Sequence, residues 1–225
     1  MMTTKIAFCH NVYNRFDCLL DTIRIEKELF PNSVSVVAYN AQSPKDFLEN
    51  AGIFDVYYHP FNGSTHKIGC ANGCIKSVQE ALMHDPVVII FSHDDVRIAK
   101  DKLSVINENI ELIVNDTFDA ICRKPTNSEL GNEYYMMEVF YISRKGAEQV
   151  FQNLKLFNNE NDISTDKRGS ISPEVFLYKI LKSGELRILE KEYYNTLAFY
   201  NSKLESALGY NHEMAGQRGW SRQTK

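Results

Sequence analysis

The sequence has little of what marks a membrane-spanning, secreted or nucleic-acid-binding protein. Its longest run of aliphatic residues and Phe is Val87–Phe91, far short of the roughly 20 apolar residues that a spanning helix needs. The hydrophobic stretch near the N-terminus is too short for a signal-peptide core. Lys plus Arg number 25 against 29 Asp plus Glu, a net charge of −4. We therefore expect no transmembrane segment, no nucleic-acid partner and a cytoplasmic location, with peripheral attachment to a membrane as the alternative.

Cysteine and tryptophan are also scarce. The five cysteines are an odd number, which favours free thiols over a disulfide framework. Cys70 and Cys74 lie four residues apart on one face of a predicted helix, as a metal-binding pair would. No second Cys/His pair has zinc-finger spacing, so buried small residues are the favoured interpretation. The single tryptophan, Trp220, lies in a polar stretch near the C-terminus, outside any core pattern.

Strand and helix periodicities alternate along the chain. The pattern predicts strands at 5–10, 34–39, 53–58, 87–91, 118–122, 136–142 and 186–189. Helices are predicted between them, including one that begins near Asn14, one at 44–51, one that Ser143 caps and one that begins at Ser172-Pro173-Glu174. This order favours an α/β fold with a mostly parallel central sheet flanked by helices. Residues 1–208 are interpreted as a single domain and 209–225 as a flexible tail.

The acidic pair Asp94-Asp95 is the clearest chemical signal. It directly follows the apolar strand at 87–91, and ligands in open α/β sheets bind beyond the carboxyl ends of strands. A divalent cation would offset the repulsion between the two carboxylates, and oxygen ligands suit Mg²⁺ or Mn²⁺. The alternative is an acidic turn that caps the following segment.

The order of several motifs resembles the GT-A nucleotide-sugar glycosyltransferases, Rossmann-like nucleotide-diphospho-sugar transferases, and especially their large inverting family two. The matching stretches are 11–15 after the first strand, 70–75 with its Ala-Asn-Gly core, the DxD-type motif at 89–95, 140–145, and the Lys-x-Gly-x-x-Arg-Ile run at 182–188. The likeness spans roughly residues 5 to 190. Two positions differ: Tyr39-Asn40 stands where the family usually has an Asp, and His93 begins the acidic motif.

The resemblance implies a metal-dependent transfer of a sugar from a nucleotide-diphosphate donor, with UDP-sugars favoured, to a hydroxyl acceptor. The acceptor would be a glycan or lipid-linked saccharide in polysaccharide biosynthesis. Asp95 would be a direct ligand of Mn²⁺ or Mg²⁺, and Asp94 would face the ribose or the waters of the ion. The donor would also contact residues from the first loop and the third helix: Asn11, Tyr13, Asn14, Arg15, Lys67 and Asn72.

Glu174 is the candidate catalytic base, because inverting transfer needs a carboxylate to take the proton of the acceptor hydroxyl. The resemblance places such a carboxylate at the start of this helix. The alternative is that Glu174 only complements the helix dipole. Glu138 and Asp166 are the reserve candidates.

The C-terminal tail contains His212, Arg218 and Trp220 among glycines. By resemblance, His212 would be a further metal ligand, and the tail would close over the diphosphate as a lid. The planar guanidinium of Arg218 suits diphosphate oxygens. The alternative is a frayed polar terminus.

Two other functions remain open. A nucleotidyltransferase that makes nucleotide sugars would share the layout and the metal, but its first loop would be rich in glycine, and 11–15 contains none. A non-catalytic nucleotide- or sugar-binding module on the same scaffold would be compatible with the difference at Tyr39-Asn40.

Overall fold

A six-stranded sheet forms the centre of the computed structural model, which describes residues 5–12, 16–39, 66–93, 96–98, 102–123, 126–127, 133–134, 139–163, 173–191 and 199–201. In spatial order its strands are β2 (Val34–Tyr39), β1 (Ile6–Val12), β3 (Val88–His93), β8 (Val139–Ser143), β5 (Ala120–Arg123) and β9 (Ile188–Lys191). Only β8 runs antiparallel to its neighbours. The predicted, mostly parallel α/β sheet is therefore confirmed.

Two short strand pairs complete the described sheet structure. One pairs β4 (Val96–Ile98) with β10 (Phe199–Asn201), and the other pairs β6 (Thr126–Asn127) with β7 (Glu133–Tyr134). The β4 strand begins three residues after β3 ends. The residues that join them are the acidic pair.

Five helices of the described residues cover the two faces of the sheet. They are α1 (Phe16–Leu29), α2 (His66–Leu82), α3 (Leu103–Val114), α4 (Arg144–Phe151) and α5 (Pro173–Ser183), with a short 3-10 helix at Glu160–Asp162. One apolar core joins α2, α4 and α5 to one face of the sheet, and a second joins α1 and α3 to the other. Along β1, Ala7 and Cys9 belong to the first core, and Ile6 and Phe8 to the second, as the alternation of a strand requires.

Most predicted elements coincide with the structure. The predicted strand at 34–39 has the same bounds as β2, and α5 begins at Pro173 as predicted. Ser143 caps α4, since its Oγ accepts a hydrogen bond of 3.0 Å from the amide of Gly146. The prediction ended β3 at residue 91, but the strand continues to His93 because Ser92 and His93 pair with β1. The predicted helix at 44–51, the strand at 53–58 and the tail at 209–225 lie outside the described residues.

The cysteines that the structure describes are buried free thiols, as predicted: Cys9, Cys70, Cys74 and Cys122. Burial raises the pKa of the Cys74 thiol, and the neighbouring Cys70 and Cys9 raise it further. Such thiols stay protonated and pack as small apolar side chains. None of the described helices is long and apolar enough to cross a bilayer.

An ion pair holds the edge strand β9 against β5. The guanidinium of Arg187 donates from Nε to Asp119 Oδ2 at 2.9 Å and from Nη2 to Asp119 Oδ1 at 2.8 Å, and its backbone amide donates to Oδ2 at 3.0 Å. Asp119 is buried. The hydrogen bonds from Arg187 lower the pKa of the Asp119 carboxyl from 3.8 to about 2. Arg187 belongs to the Lys-x-Gly-x-x-Arg-Ile run. Its bonds to Asp119 therefore hold the edge strand β9 beside β5.

We expect Arg187→Gln to destabilise the fold by about 1 kcal/mol near neutral pH, because solvent screens the half-exposed guanidinium and the backbone amide bond to Asp119 remains. Because the pKa of Asp119 is lowered in the folded state, this stabilisation is complete above about pH 4. It is lost as the pH falls toward 2. Urea unfolding of both proteins between pH 7 and pH 3 measures the difference.

The matched control is Arg24→Gln, which removes an exposed ion pair with Asp21 at 3.4 Å. We expect that substitution to cost less than about 0.5 kcal/mol. Equal costs for the two variants, or a cost of Arg187→Gln that does not shrink in acid, would contradict the assigned role of Arg187.

Candidate functional site

The carboxyl ends of the three adjacent parallel strands β1, β2 and β3 form the candidate site. Asn11 near the end of β1 pairs in register with Ala38 of β2 and with His93, the last residue of β3. Asp94 and Asp95 follow His93 directly in sequence and lie outside the described residues. The sheet therefore brings Asn11 beside the strand end from which the acidic pair continues.

Asn11 is held tightly against α2. Its side chain is buried, and its Oδ1 has no hydrogen-bond partner. A Cβ atom added to Gly73 would lie 2.1 Å from this oxygen. Only glycine leaves room for the amide here, which gives a physical reason for the glycine of the Ala-Asn-Gly motif. An orphaned buried oxygen at a strand end is suited to a ligand or a bound water.

His93 lies on the same face of the sheet as Asn11. Its Nε2 is 3.6 Å from Cys70 Sγ on α2, and its ring meets the ring of Phe91 edge-on, with centroids 5.5 Å apart. These contacts hold the last residue of β3 against the helix. The histidine at the start of the acidic motif is therefore packed into the fold.

Asn72 connects α2 to α5 through Phe157. Its side-chain nitrogen donates to the carbonyl of Phe157 at 2.9 Å, and its Oδ1 accepts from the amide of Phe157 at 2.8 Å. The ring of Phe157 packs edge-on against Phe176, with centroids 5.2 Å apart. Phe176 lies two residues after Glu174. The Asn72 side chain thus bonds to the chain itself, and its contact with a donor stays a prediction.

Lys67 and Glu174 lie at helix N-termini that face the carboxyl edge of the sheet. Each of α2 and α5 leads into a parallel strand, β3 and β9, so each helix runs against the strands and begins at their carboxyl ends. Lys67 is in the first turn of α2 and Glu174 in the first turn of α5, and both are half-buried. The topology therefore places both on the same side of the sheet as Asn11.

The remaining predicted site residues lie outside the described part of the chain. They are Tyr13, Asn14, Arg15, Asp94, Asp95, His212 and Arg218, with the reserve bases Glu138 and Asp166 and with Trp220. Their roles stay predictions. Among the described residues, no three His, Cys, Asp or Glu side chains converge as a metal site.

A buried polar cluster on the opposite face of β1 was missed by the sequence reasoning. His10 Nδ1 lies 2.9 Å from Ser92 Oγ, and His10 Nε2 lies 2.9 Å from Glu26 Oε2 on α1. All three side chains are buried. Burial raises the pKa of the Glu26 carboxyl, and His10 opposes that rise. The available signal was that Glu26 continues the apolar face of α1, three residues after Ile23.

A surface cavity of about 400 Å³ lies at the other end of the strands. Its lining includes Ile6 at the start of β1, Ser33 just before β2, and Ile110 of α3. None of the predicted site residues that the structure describes lines it. The cavity is therefore separate from the candidate site.

Comparisons with known proteins support the fold. No protein-family model matches the sequence, and a comparison with curated proteins finds no match. The mannosyltransferase PcManGT from Pyrobaculum calidifontis, solved in complex with GDP-Man and Mn²⁺, is similar with a TM-score of 0.51 and 10% identity. The match covers 84% of this chain and 54% of that chain, so this chain spans about half the length of the mannosyltransferase.

A protein from Desulfovibrio desulfuricans G20, named as a nucleotide-diphospho-sugar transferase, is similar with a TM-score of 0.48 and 11% identity over 95% of this chain and 90% of that chain. At such identity, structural likeness shows the fold alone. This chain has the mixed α/β fold, a six-stranded sheet flanked by helices, that nucleotide-sugar glycosyltransferases also have.

We expect Gly73→Ala to destabilise the protein by about 1–3 kcal/mol, because the new methyl group overlaps Asn11 Oδ1. In an Asn11→Ala background the same substitution should cost much less, since the overlapping atoms are gone. Urea unfolding of the four proteins of this double-mutant cycle measures the coupling. Additive costs would contradict the assigned contact.

Proposed function

We propose that this chain is a metal-dependent glycosyltransferase that moves a sugar from a nucleotide-diphosphate donor to a hydroxyl acceptor with inversion. The observation that carries the proposal is the shared fold with a mannosyltransferase solved with GDP-Man and Mn²⁺, together with an acidic pair directly after β3. Parallel strands β1, β2 and β3 end together at that edge, where α/β sheets bind their ligands.

The donor site is proposed to use oxygen ligands around the end of β3. Asp95 would hold Mn²⁺ or Mg²⁺ together with His212, and Asp94 would face the ribose. The orphaned Oδ1 of Asn11 fits such a site, because hard cations and their waters are bound by oxygen. When bound, the cation would offset the charge that develops on the leaving diphosphate.

The residues proposed to bind the donor around this centre are polar or basic. Tyr13, Asn14 and Arg15 follow β1 directly, and Lys67 lies in the first turn of α2 at the same edge. In the proposed site Lys67 and Arg218 would balance the negative charge of the diphosphate. Asn72, which bonds to Phe157, would also contact the donor from α2.

Glu174 is proposed as the base. In the transfer, the acceptor hydroxyl oxygen attacks the anomeric carbon, the bond to the diphosphate oxygen breaks, and the hydroxyl proton passes to the Glu174 carboxylate. Two contacts support this proposal. Asn72 of α2 bonds to Phe157, and Phe157 packs on Phe176, so the first turns of α5 are held near α2. A glycan or lipid-linked saccharide in polysaccharide synthesis is the proposed acceptor.

We expect release of nucleoside diphosphate when the protein is incubated with Mn²⁺ and a panel of UDP- and GDP-sugars. Asp95→Asn should lower this release at least about 100-fold, because it removes the charge of a proposed metal ligand. The matched control is Asp85→Asn, since Asp85 has a φ of 52° that asparagine tolerates and precedes the amino end of β3, at the opposite edge of the sheet. It should keep the wild-type rate.

Equal rates for Asp95→Asn and wild type would contradict the assignment of the metal ligand. Donor binding in the wild-type protein without release from any donor would favour a non-catalytic binding module. Release of pyrophosphate from a nucleoside triphosphate and a sugar phosphate would favour a nucleotidyltransferase.

We expect Glu174→Gln to slow transfer to an acceptor by about 10²–10⁴-fold, the usual contribution of a general base. Donor affinity should be unchanged, because the substitution removes a proton acceptor and keeps the shape of the side chain. Single-turnover transfer, with donor binding measured by calorimetry, separates the two effects. Glu185→Gln, just after the other end of α5, is the control, and unchanged transfer by Glu174→Gln would refute its role as base.

A further inference from the structure

Residues 152–157, here called the strap, follow α4 and are held by two amide side chains of α2. Gln79 Nε2 donates to the carbonyl of Leu154 and to that of the last residue of α4, both at 2.9 Å. Two turns earlier on α2, Asn72 donates to the carbonyl of Phe157 at 2.9 Å and accepts from its amide at 2.8 Å. One helix therefore holds the strap at both ends.

The strap is stretched between these two side chains. Asn72 and Gln79 are seven residues apart, which is about 10.5 Å along a helix. Leu154 and Phe157 are three residues apart, and an extended chain covers about 10 Å in three residues. Residues 154–157 belong to no described helix or strand. With so little slack in the strap, loss of one amide side chain frees the end that it holds.

The strap carries the chain to the edge of the sheet that holds the candidate site. Asn72 is nearer than Gln79 to the N-terminal end of α2, which faces the carboxyl ends of the strands. The strap therefore reaches that edge at Phe157. There the ring of Phe157 packs edge-on against Phe176 of α5, with centroids 5.2 Å apart. Phe176 follows Glu174 by two residues in the first turns of α5.

The other end of α5 is attached separately. Gln149 of α4 donates to the carbonyl of Gly184, the residue after α5. Gly184 also lies directly against Val150 of α4. The contacts with α4 therefore hold the C-terminal end of α5, whereas the contact with Phe157 acts on its first turns.

We propose that Asn72 is a positioning residue for Glu174, because it fixes the end of the strap against which the first turns of α5 pack. The inference rests on the proposed function, in which Glu174 is the base. Asn72 acts on Glu174 through Phe157 and Phe176, without touching the reacting atoms. Displacement of a catalytic group by about 1 Å can cost about 100-fold in rate, so such a support affects the reaction.

The form of the Asn72 contact suits positioning. Asn72 is 4% exposed, and it bonds to one residue both as donor and as acceptor. Because hydrogen bonds are directional, two bonds of opposite polarity fix both the distance and the orientation of the strap backbone. A leucine of similar size would fill the space without that constraint. The next residue, Gly73, lies against Asn11 of β1, so adjacent positions of α2 support two sides of the candidate site.

A structural support with no effect on the reaction is the competing explanation for Asn72. Such a support would change only the stability of the fold, and a contact with the donor would change the donor affinity. An effect that passes through Glu174 is different, because it disappears once Glu174 has been replaced. The test therefore places each substitution in the wild-type protein and in Glu174→Gln.

Two variants break the path and one is the matched control. Asn72→Leu removes both bonds to Phe157 at nearly constant volume. Phe157→Leu keeps those backbone bonds and removes the ring contact with Phe176. Gln79→Met, the control, removes the bonds at the other end of the strap, again at nearly constant volume. If Asn72→Leu does not fold, Phe157→Leu decides the result.

The rate is measured as single-turnover release of nucleoside diphosphate, with water as the acceptor, at saturating Mn²⁺ and donor. The donor is the UDP- or GDP-sugar that the wild-type protein cleaves fastest. We expect Asn72→Leu and Phe157→Leu to slow release about 10–100-fold. In the Glu174→Gln background they should slow it by less than about threefold, because the group that they position is gone. Gln79→Met should stay within about threefold of wild type.

Amide hydrogen exchange of peptides covering 174–181 gives a second measurement that needs no activity. We expect Asn72→Leu to speed exchange in these peptides about tenfold, the effect of about one lost hydrogen bond. Gln79→Met should leave exchange there unchanged, because it acts at the end of the strap away from the first turns of α5.

Wild-type release rates in both breaking variants would overturn the proposal. A loss of the same size in the Glu174→Gln background, or in Gln79→Met, would overturn it as well. Wild-type release by Glu174→Gln alone, or no release from any donor, would instead show that the proposed function is wrong. Exchange in α5 would then still decide whether Asn72 holds the first turns of the helix. The two failures are therefore distinguishable.

Discussion

The parallel pairing of β1 with β3 is the constraint on which both faces of the candidate site depend. Because side chains alternate along a strand, the pair His10 and Ser92 faces α1, while the next pair, Asn11 and His93, faces α2. A slip of one residue would exchange these faces and bury each polar group among the wrong partners. The apolar cores on both sides of β1 fix the register of its pairing with β3. That register determines the face of the sheet on which each polar pair at the strand ends lies.

The polar atoms at this end of β1 are buried at a cost that packing does not explain. Asn11 Oδ1 and Glu26 Oε1 lack hydrogen-bond partners, and each unmade bond costs about 1–3 kcal/mol. Ser33 Oγ, at the amino end of the strands, is another such atom. Buried polar atoms without a hydrogen-bond partner therefore also occur away from the candidate site. At the carboxyl end of β1, however, Asn11 lies on one face of the strand, and Glu26 of α1 packs against the other face through its bond to His10. These two atoms therefore lie near the edge of the sheet to which the proposed donor site is assigned.

Local patterns predicted the elements well, because burial of apolar residues and helix caps act over short distances. The bounds of β2, the cap at Ser143 and the start of α5 follow from such patterns. The link from His10 to Glu26 and Ser92 joins positions up to 82 residues apart, and its partners are chosen by the tertiary fold. The contact of Asn11 with Gly73 is of the same kind. Short-range sequence patterns therefore could not show that these residues meet.

The resemblance motifs separate into residues that build the fold and residues that carry the proposed chemistry. Gly73 makes room for Asn11, Gly184 makes room for Val150, and Arg187 binds Asp119. Packing and ion pairing within the fold are sufficient to explain Gly73, Gly184 and Arg187. The adjacent carboxylates of Asp94 and Asp95 repel each other, and the proposed cation would offset that repulsion. Under the proposed function, fold and activity depend on different positions, and a variant that loses Asp95 should keep the scaffold while losing the proposed reaction.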